Sequence, residues 1–286
     1  MSSGSSGVSG SRGSGCPLHR LLEIPQTGQP ARRCAVTFGG VAAFVYGVLV
    51  YAVFAGTILY AVGFVGNWFV PKSIDSGPGA PLAEALLVNG SILSLFVLQH
   101  TIMARPWFKK WWTRIVPAAI ERSTFVLAAS LILVLLFWQW RPLPQVIWSV
   151  EQPLLAGALV ALALVGWAFF TASSFMVSHA DLFGLRQVAF RLLGREYQPV
   201  GFRLRGFYRL VRHPLMVGII VAFWSTPVMT LGHLVFSVLT TAYIFFGTWM
   251  EERDLLAEHG ESYERYRRDV RGFLPVPVAA GKGGAS

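Results

Sequence analysis

The stretch PLMVGIIVAFWSTPVMTLGHLVFSVLTTAYIFFGTWM, residues 214–250, decides the fold because it is apolar, carries no Asp, Glu, Lys or Arg and is interrupted near its middle. A membrane-spanning helix needs about 20 apolar residues, whereas this stretch has 37. Pro227 and Gly232 lie near its centre and favour a break there. The stretch therefore predicts a helical hairpin of two short helices, each near the minimum spanning length, which returns the chain to the face where it began.

Four further apolar stretches precede this hairpin, at residues 38–66, 82–104, 123–140 and 154–177. The chain is 54% hydrophobic and only 13% charged, against about 25% charged in soluble domains. So few charges cannot cover the surface of a soluble helical protein. The sequence therefore predicts an all-α polytopic membrane protein with five to six transmembrane helices, including the C-terminal hairpin.

Basic residues divide the connections between these stretches into two kinds. Loop 105–122 carries five Lys or Arg residues and loop 179–213 carries seven, whereas Lys72 and Arg141 are alone in theirs. Cytoplasmic loops are enriched in basic residues, so both rich loops, both chain ends and the site described below are expected in the cytoplasm. The number of crossings is then even, and six satisfies it. We expect an integral protein of a bacterial inner membrane.

The net charge of +10 is explained by this topology and by contact with anionic lipid. Nothing in the sequence indicates a nucleic-acid partner or an obligate protein partner; the lipid bilayer is the expected surrounding.

Three regions follow along the chain. Residues 1–37 are Gly/Ser-rich and predict a disordered cytoplasmic tail, residues 38–177 hold four transmembrane helices, and residues 178–286 hold a cytoplasmic loop, the hairpin and a C-terminal helix. That helix is predicted from residue 251 onward as a cytoplasmic amphipathic helix, since apolar and aromatic residues recur at spacings of three and four. They are Leu255, Leu256, His259, Tyr263 and Tyr266.

Charged residues flank the hairpin at both ends. Arg212 and His213 precede it and Glu251 and Glu252 follow it. Taken separately, they are ordinary membrane anchors beside a proline, Pro214, that is favourable in a first helical turn. Since a hairpin brings its two ends together, they also predict one polar site. Such a site suits a zwitterionic ligand that shows an amino group to the glutamates and a carboxylate to the arginine.

The residues of this site carry a family resemblance. RHPLMVG (212–218) followed by EERDLLAEHGESYERY (251–266) resembles the RHPxYxG…EE signature of membrane methyltransferases that use S-adenosylmethionine. These include the isoprenylcysteine carboxyl methyltransferases and bacterial phospholipid methyltransferases. Residues 96–142 and SSFMVSHADLFGLRQV (173–188) resemble the NnrU-like branch and its methanethiol S-methyltransferase group. The resemblance implies a thiol methyltransferase that converts methanethiol to dimethyl sulfide.

The resemblance also implies which residues contact the cofactor. They are Tyr208, Arg212, His213, Pro214, Leu215, Met216, Glu251 and Glu252. Two positions depart from the pattern. Met216 stands where the signature usually has tyrosine, and Gly247 stands where the isoprenylcysteine enzymes have a substrate-binding arginine. The second departure argues against a prenylated carboxylate as acceptor, while phospholipid amines, other small thiols and prenyl-type alcohols stay open.

Transfer of a methyl group to a thiol needs no metal, and it is faster when a base or a positive charge favours the thiolate. We therefore expect catalytic roles for His100, His179 and Asp181, with Asp181 orienting the ring of His179. Gln99, His100 and Arg186 are expected to contact the substrate. The simpler alternatives are a polar helix-packing contact at His100 and a helix-end cap at His179 and Asp181.

Two other classes of membrane protein compete with this interpretation. A haem or metal protein needs clustered histidines, whereas the six histidines are scattered along the chain. A transporter typically has broken helices in both halves of an inverted repeat, whereas only residues 214–250 are interrupted.

Overall fold

A computed structural model describes residues 36–200 and 206–274 of the chain. Five of its helices are long and apolar enough to cross a membrane. We number all α-helices in chain order, and these five are α1 (Phe38–Gly66), α2 (Leu82–Ala104), α4 (Ala118–Gln139), α5 (Pro153–Val177) and α9 (Leu231–His259). The expected all-α polytopic membrane fold is thereby confirmed. The tail expected at residues 1–37 lies almost wholly outside the described residues.

Shorter elements connect these helices. They are α3 (Pro106–Trp112), α6 (His179–Leu182), α7 (Leu185–Leu192), a 3₁₀ turn (Gly206–Arg209), α8 (Pro214–Trp224), α10 (Glu261–Asp269) and the strands β1 (Val146–Ser149) and β2 (Val228–Thr230).

The long helices expose apolar side chains in the way that lipid-facing helices do. In the most apolar window of each, between 11% and 33% of the residues are buried within the protein. Leu59 on α1 is 74% exposed and Leu154 on α5 is 76% exposed. Exposing such apolar surface to water is unfavourable in free energy, whereas contact with lipid hydrocarbon has no such cost.

The break in residues 214–250 is confirmed, but the expected lengths of its two helices are wrong. Helix α8 has 11 residues and α9 has 29. At about 1.5 Å per residue, α8 is about 16 Å long, roughly half the hydrocarbon thickness. The rest of the distance across the hydrocarbon is covered by extended chain. Helix α8 ends at Ser225, and the residues after it continue into β2.

Strand β2 shows where this extended segment leads. It pairs antiparallel with β1, with Val146 opposite Thr230 and Trp148 opposite Met229. Strand β1 lies in the connection between α4 and α5, at the end of the helix bundle opposite the 178–213 loop. Segment 214–230 therefore carries the chain from one end of the bundle to the other, and makes the fifth of six passages without a full-length helix.

Helix α8 is held against α5 by small residues. A Cβ added to Gly166 would lie 2.7 Å from the backbone nitrogen of Ala222 and 2.7 Å from the backbone oxygen of Gly218. A Cβ added to Gly218 would lie 2.6 Å from the backbone nitrogen of Phe170. Only glycine permits this approach, which is the usual way for helices to pack closely in lipid. This contact sets the position of α8 along the axis of α5.

The C-terminal helix differs from the one expected at residue 251. Helix α9 continues past Glu251 to His259, and Gly260 (φ 53°) then turns the chain into α10. Tyr263 and Tyr266 of α10 are buried, at 2% and 5% exposed. The amphipathic spacing therefore describes two helices, of which the second folds back against the bundle.

Candidate functional site

Arg212, His213 and Glu252 form one compact cluster. The Glu252 Oε1 atom accepts hydrogen bonds from Arg212 Nε at 2.9 Å and from His213 Nε2 at 2.8 Å. Arg212 Nη2 lies 2.8 Å from the same oxygen, and Arg267 Nε lies 3.4 Å from Glu252 Oε2. The two ends of segment 214–250 therefore meet, as the hairpin predicts.

The C-terminal segment closes over this cluster. Arg212 Nη1 donates to the backbone oxygens of Arg267, at 3.0 Å, and Val270, at 2.7 Å. The backbone nitrogens of Arg212 and His213 donate to Arg271 O, at 2.8 Å, and Gly272 O, at 3.1 Å. All three nitrogens of the Arg212 guanidinium are thus bound by the protein. In this arrangement the side chain of Arg212 fastens α10 to α8, and its expected contact with a ligand carboxylate stays a prediction.

Glu251 differs from its neighbour. Among the described residues, the basic side chain within 4.0 Å of it is His213, whose Nδ1 lies 3.9 Å from Glu251 Oε2. It also interacts electrostatically with Arg105 and Arg122. Its side chain is 55% exposed, against 16% for Glu252. Among the described residues it accepts no hydrogen bond, so this carboxylate is available to a ligand.

The remaining expected cofactor contacts surround the start of α8. Tyr208 precedes it in the 3₁₀ turn, and the Tyr208 backbone oxygen accepts a hydrogen bond from Tyr266 Oη at 2.6 Å. Burial raises the pKa of the Tyr208 phenol, so the hydroxyl keeps its proton at neutral pH. Pro214 is buried in the first turn, where Leu215 and Met216 are half-buried. Their contact with a cofactor stays a prediction.

His100 lies in an aromatic pocket formed by α2, α4 and α9. Its ring is 5.3 Å from that of Phe96, 4.8 Å from Phe125 and 6.4 Å from Tyr243, measured between centroids. His100 Nδ1 is buried without a hydrogen-bond partner in the described structure. Gln99 Oε1 is in the same condition, although its Nε2 lies 3.2 Å from Met103 Sδ. Both side chains keep an unused polar atom.

His179 is already engaged at both ring nitrogens. The Ser174 hydroxyl donates to Thr171 O at 2.7 Å, so it accepts from His179 Nδ1 at 2.7 Å. His179 Nε2 then accepts from the Tyr51 hydroxyl at 2.8 Å. The ring also stacks on Phe175, at 4.2 Å between centroids. His179 joins α1 to α5, which is a structural role.

Asp181 does not orient His179, so that expected pairing is wrong. Its Oδ1 accepts from the Tyr197 hydroxyl at 2.7 Å and lies 3.8 Å from Arg186 Nη1. Arg186 is 4% exposed, and its guanidinium lies 5.2 Å from the centroid of the Phe190 ring. The expected substrate contact of Arg186 stays a prediction. Asp181 and Arg186 hold the loop after α5 together.

One charged residue of the site was counted in the sequence only as a topology signal. Arg122, in the first turn of α4, donates from Nε to Leu182 O at 2.7 Å and interacts electrostatically with Glu251. Sequence position gives no warning of this, because the two residues come from different helices. In the sequence, Arg122 is marked only by its position directly before an apolar stretch.

The half-buried histidine at position 179 predicts a dependence of stability on pH. Burial lowers the pKa of His179 below its usual 6.5, so unfolding takes up a proton in the window just below that pH. Stability is complete above about pH 6.5 and is lost as pH falls toward the lowered pKa of the folded state. We expect the melting temperature of the detergent-solubilised protein to fall between pH 7 and pH 5, and to fall less in His179→Gln. Equal pH slopes in the two proteins would contradict this.

Comparison with known proteins places the site within a family. Residues 87–271 match the family model described as NnrU protein. Methanethiol S-methyltransferase 1 of Bradyrhizobium diazoefficiens is 52% identical over 233 residues, which cover 82% of each chain. Methanethiol S-methyltransferase of Mycobacterium tuberculosis is 51% identical over 233 residues, which cover 82% of this chain and 96% of that one.

A more distant relative is the Nurim homolog of Drosophila pseudoobscura pseudoobscura, which is 31% identical over 56% of this chain and 66% of its own. No solved structure matches. The family model includes Arg212, His213, Glu251 and Glu252, together with His100 and Arg122. The chain therefore belongs to the NnrU family and is a homologue of methanethiol S-methyltransferases.

Proposed function

We propose that this protein is an integral membrane methyltransferase that moves a methyl group from S-adenosylmethionine to methanethiol and forms dimethyl sulfide. The structural observation that carries the proposal is the meeting of the Arg212–His213 and Glu251–Glu252 pairs, which leaves the Glu251 carboxylate available. The names of the two bacterial relatives at about half identity supply the acceptor.

The site fits the amino-acid end of this methyl donor. That end carries a primary ammonium group, which matches the free carboxylate of Glu251. Glu252 and Arg212 neutralise each other below it, so the charge offered to the ligand is that of Glu251. The remaining candidate contacts are Tyr208 in the 3₁₀ turn and, at the start of α8, His213, Pro214, Leu215 and Met216. When bound, S-adenosylmethionine supplies an electrophilic methyl group on a positively charged sulfur.

His100 is the side chain that suits proton removal from the thiol. The thiol proton would pass to the imidazole while the thiol sulfur takes the methyl group, whose bond to the donor's sulfur breaks and leaves that sulfur neutral. The imidazole would return the proton to solvent after the products leave. A neutral imidazole with a buried, unpartnered Nδ1 accepts that proton without breaking an existing bond. His179 does not have this freedom. Phe96, Phe125 and Tyr243 keep water away from His100, and Gln99 provides a polar contact beside it.

The topology gives each reactant its own route. Methanethiol is small and apolar and enters from lipid, whereas a charged methyl donor arrives from water. The loops that carry Arg105, Arg122 and Arg212 gather at the Glu251 end of the bundle. By the positive-inside rule that end, together with both termini, faces the cytoplasm of a bacterial inner membrane.

The acceptor is tested by headspace gas chromatography. We expect cells that express the protein and are supplied with methanethiol to release dimethyl sulfide, and cells carrying the empty vector to release none above background. Purified protein with labelled S-adenosylmethionine is then offered methanethiol or phosphatidylethanolamine in matched detergent. Label in the lipid and none in dimethyl sulfide would replace the thiol by a phospholipid acceptor.

A further inference from the structure

We propose that Arg122 binds the carboxylate of the methyl donor's amino-acid end, across from Glu251, and so provides the half of the zwitterion site that Arg212 does not. The proposal rests on the proposed function, because it assumes that the ligand is S-adenosylmethionine. It adds a residue from α4 to a site otherwise built from α8, α9 and α10.

The position of Arg122 is fixed by one edge of its guanidinium. Nε donates to Leu182 O at 2.7 Å, and the guanidinium carbon lies 4.9 Å from the centroid of the Phe125 ring. No residue in the described ranges accepts a hydrogen bond from its two terminal nitrogens. Arg122 is therefore anchored at Nε and presents two unused, parallel donors.

The other cations close to Glu251 are already paired. Arg105 Nη1 lies 2.8 Å from Asp254 Oδ2, and Arg212 is bound by Glu252 and the C-terminal segment. His213 donates to Glu252. Arg122 is the arginine that interacts electrostatically with Glu251 and has donors to spare.

Arg122 interacts electrostatically with Glu251, and more strongly with Glu121, Asp181 and Tyr197, without forming an ion pair with any of them. No nitrogen of Arg122 comes within the 4.0 Å of an oxygen of Glu251 that would define one. A carboxylate and a guanidinium that are not paired with each other can receive a zwitterion, whose ammonium group binds the first and whose carboxylate binds the second. Arginine is suited to the carboxylate because its planar donors bind both oxygens at once.

The same residue connects the two parts of the site. Phe125 contacts the Arg122 guanidinium on one side and the His100 ring, 4.8 Å away between centroids, on the other. A carboxylate held by Arg122 therefore places the donor beside the pocket in which His100 lies. Arg122 acts on positioning, and its contribution is to binding.

The test compares two ligands in one protein. S-adenosylmethionine and its decarboxylated analogue differ by the carboxylate alone, so the ratio of their dissociation constants reports that group and is independent of the folded fraction. Isothermal titration calorimetry with purified full-length protein, in detergent and without thiol, measures both. In the wild type we expect the analogue to bind about 10–100-fold more weakly, the usual effect of losing hydrogen bonds to a charged group.

In Arg122→Gln we expect S-adenosylmethionine to bind about 10–100-fold more weakly, while the analogue binds as in the wild type. Arg122→Lys should fall between the two, because it keeps the charge and loses the paired donors. Arg114→Gln, an exposed site on the same basic loop, is the matched control and should leave both constants unchanged. A wild type that binds both ligands equally, or a variant that weakens both equally, would overturn the role of Arg122. A wild type that binds neither ligand would overturn the proposed function itself.

Discussion

Replacement of Glu251 by glutamine is expected to weaken S-adenosylmethionine binding by about 10–100-fold, the effect of losing a hydrogen bond to a charged group. Glutamine keeps the size of the side chain and removes the negative charge that attracts the donor's ammonium group. Dimethyl sulfide release should fall at least in proportion at a limiting donor concentration. The dissociation constant is measured by calorimetry and the product by headspace gas chromatography.

Two variants make this experiment specific. Glu258→Gln removes a negative charge from an exposed position on the same helix and should leave binding unchanged. Glu252→Gln should lower the melting temperature, because it breaks the bonds that hold Arg212 and His213. If Glu251→Gln bound the donor as tightly as the wild type, Glu251 would not belong to the site.

Replacement of Gly166 by leucine is expected to destabilise the protein by about 1–3 kcal/mol or more, the usual cost of overpacking. The added side chain would meet backbone atoms of Gly218 and Ala222, which cannot move aside as a flexible side chain does. Helix α8 must then shift away from α5. Because His213 and Pro214 begin α8, donor binding should weaken together with stability.

Gly157→Leu is the matched control for this change. Gly157 lies on the same helix, and a Cβ added there meets no atom within 4 Å. The melting temperature of detergent-solubilised Gly166→Leu should therefore fall well below that of Gly157→Leu. Equal melting temperatures would show that the close contact between α5 and α8 does not contribute to stability.

Most of the fold could be predicted because a helix that crosses a bilayer needs about 20 apolar residues, and stretches of that length are visible in the sequence. The stretches at 38–66 and 82–104 coincide with helices α1 and α2. The break near Pro227 was also readable, since proline and glycine act locally. The short length of α8 was not, because it depends on β2 pairing with β1, 80 residues earlier in the chain.

Parts of the candidate site followed from the sequence for a similar reason. A hairpin must bring its ends together, so the meeting of His213 with the glutamates was predictable. The separation of roles between Glu251 and Glu252 was not, because successive residues on a helix point about 100° apart. The expected pairing of His179 with Asp181 was wrong for the same reason, since residues two apart in a helix do not lie on the same face.

The sequence by itself determined that this chain crosses a membrane and that a pair of charged or polar residues lies at each end of its last apolar stretch. Whether a segment crosses a membrane depends on its composition and length, and both can be read without knowing any tertiary contact. The tertiary structure decided that Arg212 is bound by the protein while Arg122 and Glu251 remain available. That outcome depends on how each helix is rotated about its axis and how closely glycine lets α8 approach α5, and both are set by packing between distant segments.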